Sequence, residues 1–322
     1  MELIAGDIGG TKSRLAWVAD GVAGAQQLRF ERVYPSAAFA TADDLVRQFV
    51  DDARLPLSPD TLMLALPGPL HGQHAALTNL DWSLDAADMG ASLGIATVRF
   101  INDFQAAAAG VATLTADDVI GLNPQPAEPG GVRAITGAGT GLGLAFMVAE
   151  ADGRTRSFAT EGGHVDFAPA NAMQARLLER LRAAYGHVSW ERVVSGMAMD
   201  DLYRFCCAER AQPLPDAPMD GAALVARAEA NDAAAGAALD LFVDLYGAWV
   251  GNVALLYQPR GGLYLAGGIT QHLRARIQSP RFMAAASDKG RMRGVVERTP
   301  IYLITNSRLG VQGAIATAFS LS

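Results

Sequence analysis

Glu2-Leu3-Ile4-Ala5-Gly6-Asp7-Ile8-Gly9-Gly10-Thr11-Lys12-Ser13-Arg14-Leu15-Ala16-Trp17-Val18 sets two apolar runs on either side of a glycine-rich turn. Glu2 to Ala5 and Arg14 to Val18 read as strands, and the turn is too long for a two-residue hairpin loop. A Walker loop needs glycine immediately before its lysine, and Thr11 stands there, so that reading fails. The pattern then returns. Ala134 to Thr136 is strand-like, Gly137-Ala138-Gly139-Thr140-Gly141 is glycine-rich, and Leu144 to Ala149 is strand-like again. Gly10-Thr11 falls on Gly139-Thr140 and Leu15-Ala16 on Leu144-Ala145, which predicts two related halves. The second loop leads into a strand, whereas a dinucleotide-binding fingerprint must open a helix, so a Rossmann reading fails too.

Each loop alone reads equally as a tight structural hairpin. Together they point to two turns that face each other and present backbone N–H groups to a phosphate chain. Glycine permits the close approach, and Thr11 or Thr140 adds a hydroxyl donor. The candidate phosphate contacts are Gly9, Gly10, Thr11, Gly137, Gly139, Thr140 and Gly141. Asp7 is the candidate magnesium residue, acting through water, because hydrated Mg²⁺ takes one or two carboxylates plus phosphate oxygens.

A length of 322 residues exceeds what one core usually serves and predicts two domains. Half the residues are hydrophobic and 18% are charged, an ordinary globular composition. Apolar runs such as Leu62 to Leu66 fall far short of the ~20 residues that cross a bilayer, so no membrane insertion is expected. The N-terminus lacks the basic start and apolar stretch of a secretory signal, which predicts a cytoplasmic chain. Adjacent Cys206 and Cys207 read as core filler rather than a disulfide. A net charge of -7 offers nucleic acid no general attraction, and no nucleic-acid partner is expected.

Leu45, Phe49 and Ala53 at four-residue spacing predict a helix over Thr41 to Ala53, capped by Thr41. Thr61 to Leu66 reads as a strand ending at Pro67-Gly68-Pro69, Ala86 to Leu93 as a helix, and Thr97 to Ile101 as a buried strand delivering Asn102-Asp103. Helix follows from Phe104 to Leu114, then a loop from Asn123 to Gly131. Ala172 to Ala184, Met199 to Ala208 and the long Ala222 to Tyr257 region favour helix. Gly262 to Ala266 and Pro300 to Thr305 read as strands, and Val311 to Ser320 as a closing helix. His71 and His74 flank Gly72 and read as a solvated turn, not a metal pair. Strands followed by blocks of helices indicate an α/β architecture.

Asp7-Ile8-Gly9-Gly10-Thr11, Ile101-Asn102-Asp103-Phe104, Gly137 to Gly143, Glu161-Gly162-Gly163-His164-Val165-Asp166-Phe167-Ala168-Pro169, Glu191-Arg192-Val193-Val194-Ser195-Gly196 and Ala266-Gly267-Gly268-Ile269 together resemble the bacterial glucokinase family, in order, over nearly the whole chain. The Glu161 to Pro169 stretch is the most specific of these, whereas the first glycine loop is shared by many sugar kinases. The resemblance implies an actin-like, ribonuclease H-like sugar kinase fold of two α/β domains with an interdomain cleft that closes on sugar and nucleotide. Residues 1–112 with 305–322 are expected as the small domain and 113–304 as the large one. It further implies ATP and Mg²⁺ as cofactors, D-glucose as substrate and a homodimer. Carried over by matching motif, Asn102, Asp103, Glu161, His164 and Glu191 are the expected glucose contacts, with Asp103 as general base, and Gly267 and Gly268 join the nucleotide site. Carboxylates and amides paired with vicinal hydroxyls suit a polyol, since a wrong epimer leaves buried groups unpaired. Asp166 is expected to support its loop, and Pro67-Gly68-Pro69 with Thr78-Asn79 are compatible with the sugar side.

Lys12 departs from the asparagine more common in this family and matches the related repressor and kinase (ROK) group. That group's cysteine-rich zinc motif is absent, so structural zinc is not expected. The alternatives are a kinase for another hexose, such as mannose or fructose, and a non-catalytic sugar-sensing protein of the same fold. Such regulators usually carry an N-terminal DNA-binding module, and here the phosphate-loop strand already starts at Glu2.

Overall fold

In the computed structural model, which describes residues 1–20, 26–54, 57–77, 80–151 and 155–321, the opening hairpin is β1 (Glu2–Ile8) paired antiparallel with β2 (Lys12–Asp20). The chain forms two units, Met1–Thr115 with Asn306–Ser322, and Ala116–Thr305.

Unit 1 adds β3 (Gln26–Pro35), α1 (Ala42–Ala53), β4 (Thr61–Leu66), a short hairpin of β5 (His74–Leu77) and β6 (Trp82–Asp85), α2 (Ala86–Leu93), β7 (Thr97–Asn102) and α3 (Asp103–Gly110). It closes with the C-terminal helix Leu309–Ser320. Among the described residues its main sheet is ordered β3-β2-β1-β4-β7, with β1, β4 and β7 parallel. Side chains alternate across it. Leu3, Ala5, Ala16, Val18, Met63 and Ala65 pack under Val311, Ala314 and Ile315 of the C-terminal helix. Ile4, Ile8, Leu15, Trp17, Leu62 and Leu64 pack with Leu45, Val46, Phe49 and Met89 of α1 and α2 on the other face. With both faces covered, β4 must be apolar throughout, which is why Thr61 to Leu66 shows no polar alternation.

Unit 2 comprises β8 (Val119–Asn123), β9 (Arg133–Ala138), β10 (Leu142–Ala149), β11 (Thr155–Thr160), α4 (Ala172–Tyr185), α5 (Ala198–Glu209), α6 (Gly221–Glu229), α7 (Ala233–Tyr257), β12 (Gly262–Ala266), four short helices α8 (Gly268–His272), α9 (Arg274–Ile277), α10 (Pro280–Ser287) and α11 (Arg293–Glu297), and β13 (Ile301–Ile304). Its sheet is ordered β11-β10-β9-β12-β13-β8, with β9, β12 and β13 parallel. Apart from the added β8, this repeats the order and directions of unit 1, so the short Gly-Thr match marks a duplicated topology.

Some expectations change. The helical stretch from Ala222 to Tyr257 is two helices, because Asn231 takes a left-handed φ of 64° and Asp232 starts α7 by accepting from the Ala234 and Ala235 amides. The strand β8 takes up Asn123, which had read as the start of a loop; its Nδ2 donates to the Thr299 carbonyl at 2.7 Å. By length and composition α7 qualifies as a bilayer-crossing helix, although 72% of its most apolar window is buried inside the protein. Phe242, Tyr246 and Trp249 of α7 are fully buried, so here it is the central helix of the unit 2 core.

Candidate active site

Parallel strands bring their carboxyl ends to one edge of a sheet, and in unit 1 that edge carries Asp7, Pro67-Gly68 and Asn102-Asp103. The turn from Gly9 to Thr11 is tied down from β3's end by Ser36. Its Oγ donates to the Gly9 carbonyl at 2.6 Å, and its amide donates to the Thr11 carbonyl at 3.0 Å. The Gly9 amide donates to the Lys12 carbonyl, and a β-carbon on Gly9 would lie 2.8 Å from that oxygen. Gly9 therefore shapes the turn, while Thr11 and Lys12 are exposed on it.

Asn102 caps α3. Its Oδ1 accepts from the Gln105 amide at 3.1 Å, and its Nδ2 donates to the Gly68 carbonyl at 3.1 Å, so it also holds the Pro67-Gly68-Pro69 turn, where Gly68 has a φ of +86°. Asp103 opens the helix, the end at which a negative charge is favoured. Its Oδ1 accepts from the Phe104 amide at 2.8 Å. Thr78 and Asn79 lie outside the described residues. His71 and His74 pair across a turn at Gly72, and His74 Nδ1 stands 2.6 Å from Asp85 Oδ2.

Asp7 pairs across the hairpin with Arg14, which Glu31 holds at 2.5 Å. Burial pushes the Asp7 carboxyl up to about 6, against the pull of Arg14. A desolvated carboxylate of this kind is stabilised by an added cation. Among the described residues no group of three or more His, Cys, Asp or Glu forms a cage. One carboxylate suits a magnesium ion that brings its own water and phosphate oxygens.

In unit 2 the carboxyl ends of β9 and β12 pack backbone on backbone. A β-carbon on Gly137 would lie 2.4 Å from the Ala266 carbonyl, and one on Gly267, at φ +97°, would lie 2.3 Å from the Ala138 carbonyl. Gly139 faces open space, and its carbonyl accepts from the Gly196 amide at 2.8 Å. Thr140 is exposed, and Gly268 also has open space around it. Beneath the loop, Trp249 Nε1 donates to Thr136 Oγ1 at 2.9 Å, and Thr136 donates to the Gly143 carbonyl at 2.7 Å. Thr270 likewise donates to the Ala266 carbonyl and meets the Tyr246 hydroxyl at 3.2 Å.

Glu161, His164 and Glu191 come together in this unit. His164 Nε2 is 3.9 Å from a carboxylate oxygen of each glutamate. Glu191 Oε2 accepts from the Leu142 amide at 2.8 Å, and the Glu191 amide donates to the Gly163 carbonyl at 2.8 Å. A β-carbon on Gly163 would lie 2.1 Å from the Leu142 carbonyl, and one on Gly141 would lie 2.4 Å from Glu191 Oε2. Asp166 bridges to Ser189 and faces His187 at 3.4 Å, fastening the segment around His164 to the one that carries Glu191. One candidate set thus belongs to unit 1 and the other to unit 2.

The family profile described as glucokinase matches residues 4–320. The chain belongs to the glucokinase family. The glucokinase of Synechocystis sp. is 38% identical, over 99% of this chain and 98% of its own length. A glucokinase crystal structure from an Antarctic psychrotroph superposes with a TM-score of 0.83 at 29% identity, over 99% of this chain and 98% of that one. At 18% identity, a ROK-family glucokinase from Streptomyces griseus, solved with glucose and AMPPNP, has a TM-score of 0.63 over 98% of each chain and shares the fold. Membership of the glucokinase family carries the actin-like ATPase fold and the activity of an ATP-dependent hexose kinase.

Ser36, Thr136 and Trp249 also shape these glucokinase loops and stand in none of the sequence motifs. Their partners are distant along the chain, so no local pattern marks them.

Proposed function

We propose that this chain transfers the γ-phosphoryl group of Mg-ATP to the 6-hydroxyl of D-glucose, giving glucose 6-phosphate and ADP. The observation that carries this is the 2.8 Å bond from the Leu142 amide to Glu191, which joins a sugar-type carboxylate cluster directly to the end of a phosphate-type loop. Glu161, His164 and Glu191 offer acceptors and a switchable donor suited to vicinal hydroxyls. Asp103 accepts the proton of the 6-hydroxyl as its oxygen attacks phosphorus, and Asn102 orients the helix start that carries it. Gly10, Thr11, Gly139, Thr140, Gly141 and Gly268 line the phosphate chain, with Gly9, Gly137 and Gly267 holding the turns. Asp7 would hold magnesium through water, and the ion would supply charge neutralisation for the transferring phosphoryl group. Residues 1–112 with 305–322 act as the small domain and 113–304 as the large one, in a cytoplasmic homodimer. Glucose in complex with the Streptomyces griseus protein, and the glucokinase relatives, support this choice of substrate.

A coupled assay of ADP release across glucose, mannose and fructose tests it. Glucose is expected to have the highest kcat/KM; preference for another hexose would reassign the substrate, and no turnover on any would leave a sugar-sensing protein.

A further inference from the structure

Gly310 lies in the first turn of the C-terminal helix, against the Asp7 carboxyl. A β-carbon built there would lie 2.2 Å from Oδ2, 2.5 Å from Cγ and 3.0 Å from Oδ1 of Asp7. The three nearest atoms all belong to one carboxyl group, so the helix backbone is the surface on which that group rests. Gly310 is not among the glycines with positive φ, and alanine is the better helix former. What the position requires is therefore space, not backbone freedom.

The neighbouring sides of Asp7 are framed as well. Arg14 faces it across the hairpin, and Glu31 binds both Arg14 and Arg308 at 2.5 Å each. Arg308 immediately precedes the C-terminal helix, and Ser307 Oγ accepts from Arg14 at 3.4 Å. Strands β2 and β3 and the helix start are thus tied into one frame beside Asp7, so the helix backbone keeps its place and an added methyl group displaces the partly buried carboxyl.

We propose that Gly310 is a positioning residue for phosphoryl transfer: by presenting no side chain it sets where the Asp7 carboxylate stands, and through it where magnesium-bound ATP sits. The inference rests on the reading that Asp7 holds that ion through water. A methyl group at Gly310 must push the carboxyl by about 1 Å, and a misplacement of that size costs on the order of 10²-fold in rate.

The test is calorimetric titration of Gly310→Ala with ATP, once with magnesium and once with a chelator. Affinity for Mg-ATP is expected to fall about tenfold or more, the scale of disturbing a residue behind a metal ligand. Affinity for metal-free ATP and for glucose is expected to be unchanged, with kcat/KM about 10²-fold lower. In an Asp7→Ala background, Gly310→Ala is expected to add nothing, because the carboxyl it displaces is gone. That comparison decides the matter even if the single variant melts lower. Wild-type Mg-ATP affinity in Gly310→Ala, or the full loss persisting on top of Asp7→Ala, would overturn the proposal. Asp7→Ala binding Mg-ATP normally would overturn it too, whereas hexose turnover by the wild-type enzyme reports separately on the proposed reaction.

Discussion

Glu191 and Leu142 are joined by a 2.8 Å hydrogen bond from the Leu142 amide to Oε2, so the first residue of β10 and the candidate sugar carboxylate move as one piece. Gly141 makes room for that bond, since a β-carbon there would lie 2.4 Å from the same oxygen. Gly141→Ala is therefore expected to displace the carboxylate by about 1 Å and lower kcat/KM for glucose on the order of 10²-fold. A coupled assay checks this; an unchanged value would separate Glu191 from sugar binding.

Asp103 opens α3, and Asn102 caps it, so replacing the carboxylate by an amide keeps the helix start intact. Asp103→Asn is expected to lower kcat by roughly 10²- to 10⁴-fold, the contribution of general base catalysis, with ATP affinity near wild type. Rapid-quench turnover at saturating sugar and ATP is the check. Near-normal turnover would remove the residue from that role.

Asp232 caps α7 through the Ala234 and Ala235 amides at 2.9 and 3.1 Å and accepts from the Tyr203 hydroxyl at 2.7 Å. Burial raises its pKa, but these bonds and the one from Arg227 outweigh burial and hold it below the ordinary 3.8. A carboxyl lowered in the folded state stabilises fully above its unfolded pKa and loses that contribution as pH falls through the folded one. Asp232→Ala is expected to cost about 1 kcal/mol at neutral pH, the typical value of a cap, and progressively less below about pH 4. Urea denaturation of both proteins at neutral and acid pH measures it; a difference that grows in acid would contradict the assignment.

Gly267 combines a φ of +97° with an approach that would put a β-carbon 2.3 Å from the Ala138 carbonyl. Gly267→Ala is expected to destabilise unit 2 by roughly 1–3 kcal/mol, the scale of a strained backbone position. Thermal melting reads the loss. A variant as stable as wild type would show that β9 and β12 can separate at no cost.

The glycine turns were legible because they are local: each combines strand-like runs with residues that only close backbone approach requires, and the duplicated sheet followed from recognising the pair. Glu191 carried no such local mark; it sits behind Trp190 like an ordinary helix residue, and only the family pattern singled it out. The edge strand β3 was missed because it is mostly exposed and lacks the apolar alternation of a half-buried strand. The break before α7 depends on one left-handed Asn231 in an alanine-rich stretch that otherwise reads as helix throughout. Trp249 meets Thr136 across 113 positions, a distance at which no spacing rule operates.

A crystal structure with glucose and a non-hydrolysable ATP analogue tests the central claim most directly. An Asp103 carboxylate oxygen is expected within about 2.6–3.2 Å of the sugar's 6-hydroxyl, with that hydroxyl directed at the γ-phosphorus. A bound sugar whose 6-hydroxyl meets another residue, with Asp103 turned elsewhere, would contradict it.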